Sequence, residues 1–146
     1  MYKSLCVLAI VASAVLSGCA SVPTASKEKD LAAKSFATPA SDKSGIYIYR
    51  DSFVGQALKK NVYIDGTLVG ESSNKVFFYK TVAPGTHKLS TESEFSENYT
   101  ELKTEGGKNY FVEQSIKMGV FVGGAGLKVV SEAEGKKEVL KCKLAQ

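Results

Sequence analysis

The sequence predicts a mainly β protein: an antiparallel β-sandwich over residues 44–146 that ends in a short helix, preceded by a leader over residues 1–18 and a flexible tether over residues 19–43. Three features carry that expectation. From Gly45 onward, short runs rich in β-branched and aromatic residues recur at strand length, the clearest of them alternating apolar and polar. Asp65-Gly66, Pro84-Gly85 and Gly106-Gly107 separate those runs, and such pairs supply the backbone angles of tight turns. Before residue 44 the chain is instead an apolar run to Leu16 and then a stretch poor in large apolar side chains.

The leader opens with Lys3, is uncharged from Leu5 to Leu16 and closes on Leu16-Ser17-Gly18-Cys19. A cationic start, an apolar stretch of about 7–15 residues and small residues before a cleavage point define a secretory signal. The run is shorter than the roughly 20 apolar residues that a spanning helix needs. Its last four residues resemble the lipobox of bacterial lipoproteins. That resemblance implies cleavage between Gly18 and Cys19, a diacylglycerol on the Cys19 thiol and an acyl chain such as palmitate on the new amine. Each buried methylene contributes about 0.8 kcal/mol, so several chains together hold a protein firmly at a bilayer. Ala20 stands where an aspartate would resemble an inner-membrane retention signal, which implies the periplasmic face of the outer membrane.

Ala20 to Lys43 is mostly Ser, Thr, Ala, Pro and Lys, a composition that buries too little surface to offset ordering entropy. It reads as a tether with a root-mean-square reach of about 25–30 Å. Lys27–Phe36 has the makings of one or two helical turns, which are marginal in isolation. Phe36 is the one large aromatic side chain there and the expected first point of contact with the domain.

Gly45-Ile46-Tyr47-Ile48-Tyr49-Arg50 reads as the first strand. Val62-Tyr63-Ile64 and Thr67-Leu68-Val69 flank Asp65-Gly66, a strong hairpin signal because both turn positions tolerate positive φ. Val76 to Val82 is a longer strand closed by Pro84-Gly85, which suits a type II turn. Thr86–Thr91 and Tyr99–Thr104 alternate more weakly. From Tyr110 to Met118, Tyr110, Val112, Ile116 and Met118 share one face and Glu113, Ser115 and Lys117 the other, with Phe111 and Gln114 breaking the split. Ser131 to Glu134 has the spacing of a helix capping box, and the lysines at 136, 137, 141 and 143 suit the C-terminal end of the macrodipole. Gly135 inside that helix costs about 1 kcal/mol against alanine.

Val62-Tyr63-Ile64-Asp65-Gly66, then Gly70, Phe78, Val82, Pro84-Gly85, His87 and Leu89, resembles the PEGA domain, an immunoglobulin-like sandwich of bacterial surface proteins. The match spans roughly Asn61 to Ile116 and lacks the namesake Pro-Glu-Gly-Ala stretch. Together with the lipobox, Ile46-Tyr47-Ile48-Tyr49-Arg50 and the glycines near 119–126, the whole chain resembles a family of lipoproteins known as domain of unknown function 2846. The resemblance implies a fold and a location, and no reaction.

The charge of +4 falls to +3 once Lys3 leaves with the leader, and the charges are interspersed. That does not support nucleic-acid binding, which needs a basic stripe or a fold motif. With Cys6 in the leader and Cys19 acylated, Cys142 has no partner for an intramolecular disulfide; a buried thiol and an intermolecular bridge are the two readings. Chemistry-bearing residues are sparse. The single histidine, His87, has no nucleophile or orienting group at a recognisable spacing and reads as a strand residue. One His and one Cys are too few for a metal centre, and Asp65 is explained by its turn. Glu92, Glu94, Glu97, Glu101 and Glu105 read as a solvated sheet face that discourages edge pairing.

Met118 to Leu127 is the most unusual segment, ten uncharged residues with four glycines between Lys117 and Lys128. It lacks the spacing of a phosphate-binding loop. Three readings stand: a bend between the sheets with Val120, Phe121 and Val122 in the core; an exposed apolar patch for an envelope protein partner; or a loop that dips into the membrane beside the anchor. The functional expectation is an outer-membrane-anchored, non-enzymatic binding or structural module of the envelope, with no cofactor, metal or catalytic residues. The alternative is an envelope enzyme or small-ligand carrier, with Arg50, Tyr47 and Tyr49 facing one pocket between the sheets.

Overall fold

The computed structural model describes residues 20–93, 95, 97–121 and 123–146. A short helix, α1 (Lys27–Ala33), precedes eight strands: β1 (Ser44–Arg50), β2 (Lys60–Ile64), β3 (Thr67–Ser72), β4 (Val76–Val82), β5 (Gly85–Glu92), β6 (Glu97–Thr104), β7 (Asn109–Lys117) and β8 (Gly124–Val130). A second helix, α2 (Glu132–Val139), and a two-residue strand, β9 (Lys143–Leu144), follow. The strands form a five-stranded sheet in the order β8-β7-β1-β4-β9 and a four-stranded sheet in the order β3-β2-β5-β6. The expected sandwich is therefore present. One sheet is mixed rather than purely antiparallel, because β1 runs parallel to β7 and β4 parallel to β9.

The two sheets face each other across Ile46, Ile48, Val62, Ile64, Phe78, Leu89, Leu102 and Val112, all buried. The back of the five-stranded sheet is also covered. There Tyr47, Tyr49, Phe77 and Phe111 form a second apolar layer with Ala33 of α1, Val139 of α2 and Cys142. β1 is consequently buried along its whole length, which explains why its sequence carries large side chains at every position from 46 to 50. Phe111 and Gln114, the two residues that break the alternation of β7, are both buried, Phe111 in the second layer and Gln114 in the inter-sheet core.

The hairpin at Asp65-Gly66 forms as expected, with φ of 50° and 77°. Pro84-Gly85 does something different from a hairpin turn. β4 and β5 belong to opposite sheets, so this pair carries the chain across the sandwich, and Gly85 has φ 147°. The helix at the C-terminus is capped as its sequence requires: the Ser131 hydroxyl accepts the Glu134 amide at 3.2 Å.

The expected tether is largely folded. Val22 packs on the inter-sheet core, Thr24 bridges Ala145, and the Ala25 amide donates to the Leu144 carbonyl at 2.8 Å. Ser26 caps α1, the Asp30 carboxylate accepts the Leu144 amide at 2.7 Å, and Phe36 packs against Tyr47 and Phe111. A composition that cannot form a core of its own is ordered here by a sheet face that needs covering. Among the described residues no helix is long and apolar enough to cross a membrane.

Candidate functional site

One end of the sandwich gathers the β1–β2, β5–β6 and β7–β8 loops. Local contacts fix their proximity. Gly55 of the first loop sits against Ile116 at the end of β7, and an added Cβ there would lie 2.5 Å from the Ile116 side chain. Gly123 of the third is roofed by the Leu58 methyl of the first, again within 2.5 Å of where a Cβ would stand. Asn61 at the start of β2 donates to Glu92 at the end of β5, and Asn98 at the start of β6 donates to the Ala125 carbonyl of β8.

This end displays apolar side chains to solvent. Phe53 is 88% exposed, Met118 85%, Phe121 83% and Val120 77%, and Val54 and Phe95 are exposed beside them. The reading that placed Val120 and Phe121 in the core is therefore corrected. The chain does not pass between the sheets here: β7 and β8 are neighbours in one sheet, and their connection projects beyond its end. Met118, expected on the buried face of β7, belongs to that projection. Val122 lies outside the described residues, as do Gly18 and Cys19, the expected cleavage and lipidation positions. Phe53 and Val54 were not singled out from the sequence. Their signal was an uncharged stretch from Ser52 to Leu58 with no strand alternation, which places apolar residues in a loop.

Beneath these loops lies a buried polar chain. Ser72 donates to the Gln114 carbonyl oxygen, Gln114 Nε2 donates to Thr91 Oγ1 at 2.8 Å, and Thr91 donates to the Asn61 carbonyl at 2.8 Å. The chain ties both sheets together at this end; beside it Arg50 Nε is buried without a hydrogen-bond partner. Arg50, fully buried, completes it. Its guanidinium donates to the carbonyls of Leu58 at 2.8 Å, Gly55 at 2.5 Å and Ser72 at 3.4 Å. Burial pushes its pKa below the usual arginine value. Arg50 thus fastens the β1–β2 loop from inside.

Arg50 does not share a concavity with Tyr47 and Tyr49. Those side chains point to the opposite face of β1, under the helices, where Tyr47 donates to the Ala33 carbonyl at 2.9 Å. Burial first, and a neighbouring tyrosine or carboxylates second, holds both phenols well above their ordinary pKa. The inter-sheet space that a carrier would need is filled by the core side chains at its centre.

His87 and Asp65 meet at the far end of the sandwich. His87 Nδ1 lies 2.6 Å from Asp65 Oδ2 and Nε2 lies 2.7 Å from the Ala83 carbonyl, while Asp65 Oδ1 accepts the Lys88 amide at 2.8 Å. Both ring nitrogens are engaged, so the pair clasps the β2–β3 turn to the inter-sheet crossing. Cys142 is 1% exposed, its Sγ 3.7 Å from the Arg50 carbonyl, and burial raises its pKa to about 12. Among the described residues the acidic series does not converge: Glu92 holds Asn61, Glu97 pairs with Lys88, and Glu105 pairs with Lys108. Among the described residues no group of three or more His, Cys, Asp or Glu is placed to hold a metal ion.

A family model described as "Protein of unknown function (DUF2846)" matches residues 40–125, from the approach to β1 through the first residues of β8. A Haemophilus influenzae relative described as "Uncharacterized protein" is 58% identical over 131 residues, covering 90% of this chain and 78% of the relative. No solved structure matches.

Proposed function

Because the chain belongs to the family described as protein of unknown function DUF2846, whose description names no activity, we propose its role from its own residues: a lipid-anchored protein of the outer membrane, facing the periplasm, that serves as a non-enzymatic binding or structural module of the envelope. The observation that carries this reading is Leu16-Ser17-Gly18-Cys19 at the end of an apolar run that begins just after Lys3. Cys19 is the functional residue of the scheme. Its thiol takes the diacylglycerol, and cleavage after Gly18 frees its amine for the acyl chain. The folded part supports the reading by offering an exposed apolar loop cluster at one end of a rigid sandwich, the arrangement of a contact surface.

Metabolic labelling with an alkyne-bearing palmitate analogue, followed by outer-membrane fractionation, tests the proposal. The wild-type chain takes up label and fractionates with the outer membrane. Cys19→Ala loses the label and leaves that fraction. Label retained in Cys19→Ala, or a wild-type protein recovered unlabelled from the cytosol, overturns the reading.

A further inference from the structure

Ala20, Ser21 and Val22 line a shallow groove with Ser73, Asn74 and Lys75 of the β3–β4 connection. Asn74 in turn accepts the Ser52 amide at 2.9 Å, and the Lys75 amide donates to the Arg50 carbonyl at 2.8 Å. Ala20 and Ser21 therefore lie at the same end of the sandwich as the loops that carry Phe53 and Phe121.

The slack between anchor and fold is short. Val22 already packs on the core, which leaves only residues 19–21 to bridge the gap. Three residues at about 3.3–3.6 Å each span roughly 10 Å when fully extended. The headgroup layer of a bilayer is itself roughly 5–8 Å deep on each side. A domain attached in this way cannot stand clear of the bilayer, and the end that carries Ala20 must lie against it.

We propose that the loop end of the sandwich is a membrane-contact face, with Phe53, Val54, Met118, Val120 and Phe121 seated in the lipid interface beside the acyl chains on Cys19. This rests on the lipid-anchor reading above. The chemistry of two of the three loops suits that occupant, and the third, between β5 and β6, carries Glu94 and stands outside the proposed face. Ser52–Leu58 and Met118–Leu127 contain no charged residue, and Lys59-Lys60 and Lys117 stand at their borders. Lysines in that position lay their alkyl stems along apolar surface and keep their ammonium groups among anionic headgroups. Asp51, which precedes the first loop, is taken up by Lys75 at 2.5 Å. The buried Arg50–Ser72–Gln114–Thr91 chain holds the loops as a preformed tip.

The chain contains no tryptophan, so single Trp substitutions report locally. The full lipidated protein carrying Phe53→Trp, Phe121→Trp or, as the far-end reference, Leu68→Trp is reconstituted in phosphatidylethanolamine–phosphatidylglycerol vesicles. A parallel set contains phosphatidylcholine brominated on its acyl chains, and flotation of the same samples reports attachment. The tip positions are expected to emit further to the blue than Leu68→Trp and to lose most of their emission to the brominated lipid, whereas Leu68→Trp keeps its own. Protein that floats without quenching at 53 and 121 overturns the contact face and leaves the anchor standing. A blue shift without bromine quenching points to self-association and overturns it as well. Protein that does not float overturns both readings.

Discussion

The Leu144 amide donates to the Asp30 carboxylate at 2.7 Å, joining residues 114 positions apart and closing the N-terminal segment onto the last strand. Asp30 also holds Lys34 at 2.8 Å, so one half-buried carboxylate fixes both α1 and β9. A hydrogen bond to a charged group contributes about 1.5–3 kcal/mol. Asp30→Ala should lower stability by about that amount and expose Lys27, Lys29 and Lys34 to trypsin well before the sandwich is cut. Asp30→Asn, which keeps an acceptor, should lose less. Limited proteolysis with mass readout checks both. Equal resistance of Asp30→Ala and wild type would mean that the contacts of Ala33, Phe36 and the Ala25 amide hold α1 without Asp30.

Gly135 sits in the middle of α2, where alanine ordinarily stabilises by about 1 kcal/mol. The opposite is expected here. A Cβ at this position would lie 2.2 Å from the Cβ and Cγ of Phe111, so the helix can approach the sheet only because residue 135 has no side chain. Overpacking of this kind costs about 1–3 kcal/mol. Gly135→Ala should therefore destabilise the fold in urea titration, and an unchanged midpoint would show that α2 can back away from Phe111 without cost.

Gly135 and Phe111 also show what the sequence could and could not reveal. Every strand from β1 to β7 was legible, because alternation and turn pairs are local signals. Apart from the β2–β3 hairpin at Asp65-Gly66, the partner of each strand was not. Pro84-Gly85 has the grammar of a hairpin whether it joins neighbours in one sheet or crosses between two, and only the packing of Leu89 and Leu102 into the inter-sheet core decides. Residues 22–43 were misread for a related reason. Their composition lacks a core, yet they supply Ala33 and Phe36 to a layer whose larger members, Tyr47, Phe77 and Phe111, lie elsewhere in the chain. At the loop end, Val120 and Phe121 looked like core because apolar residues usually are. The absence of charge identified the segment, but not the side to which it turns.

The His87–Asp65 clasp makes stability depend on pH in a defined direction. Burial alone would lower the His87 pKa, but the hydrogen bonds to Asp65 and the Ala83 carbonyl, with the Asp65 charge, raise it above its ordinary 6.5. The His87 hydrogen bond, aided by the Lys88 amide against a small burial effect, holds Asp65 below its ordinary 3.8. The histidine contribution is thus complete below pH 6.5 and is lost as pH rises through the folded-state value. The aspartate contribution is complete above pH 3.8 and is lost as pH falls through its own folded-state value. The melting-temperature difference between wild type and His87→Gln should be largest between those limits and shrink towards alkaline pH. A difference that stays constant from pH 5 to 9 would show that the imidazole is held neutral.

Arg50 is the remaining buried charge, and two roles predict opposite results. A guanidinium kept for an anionic ligand is a burden on the fold, since desolvating it costs several kcal/mol, and replacing it with an apolar side chain of similar length would leave stability unchanged or improved. A guanidinium that fastens a loop behaves otherwise. Its removal strands the Leu58 carbonyl, at about 1–3 kcal/mol for an acceptor left unsatisfied, and leaves the Gly55 carbonyl with the Leu58 amide as its donor. The geometry favours the second role, because these donors aim at backbone carbonyls of the β1–β2 loop and at Ser72, which belongs to the buried chain through Gln114. Arg50→Met should therefore lower stability by about 1–3 kcal/mol and selectively raise hydrogen exchange over residues 51–59. Because Phe53 and Val54 ride on that loop, the same variant should also loosen the apolar tip while leaving β4 and β5 protected. A stable Arg50→Met with unchanged exchange in the loop would assign the charge to a ligand instead.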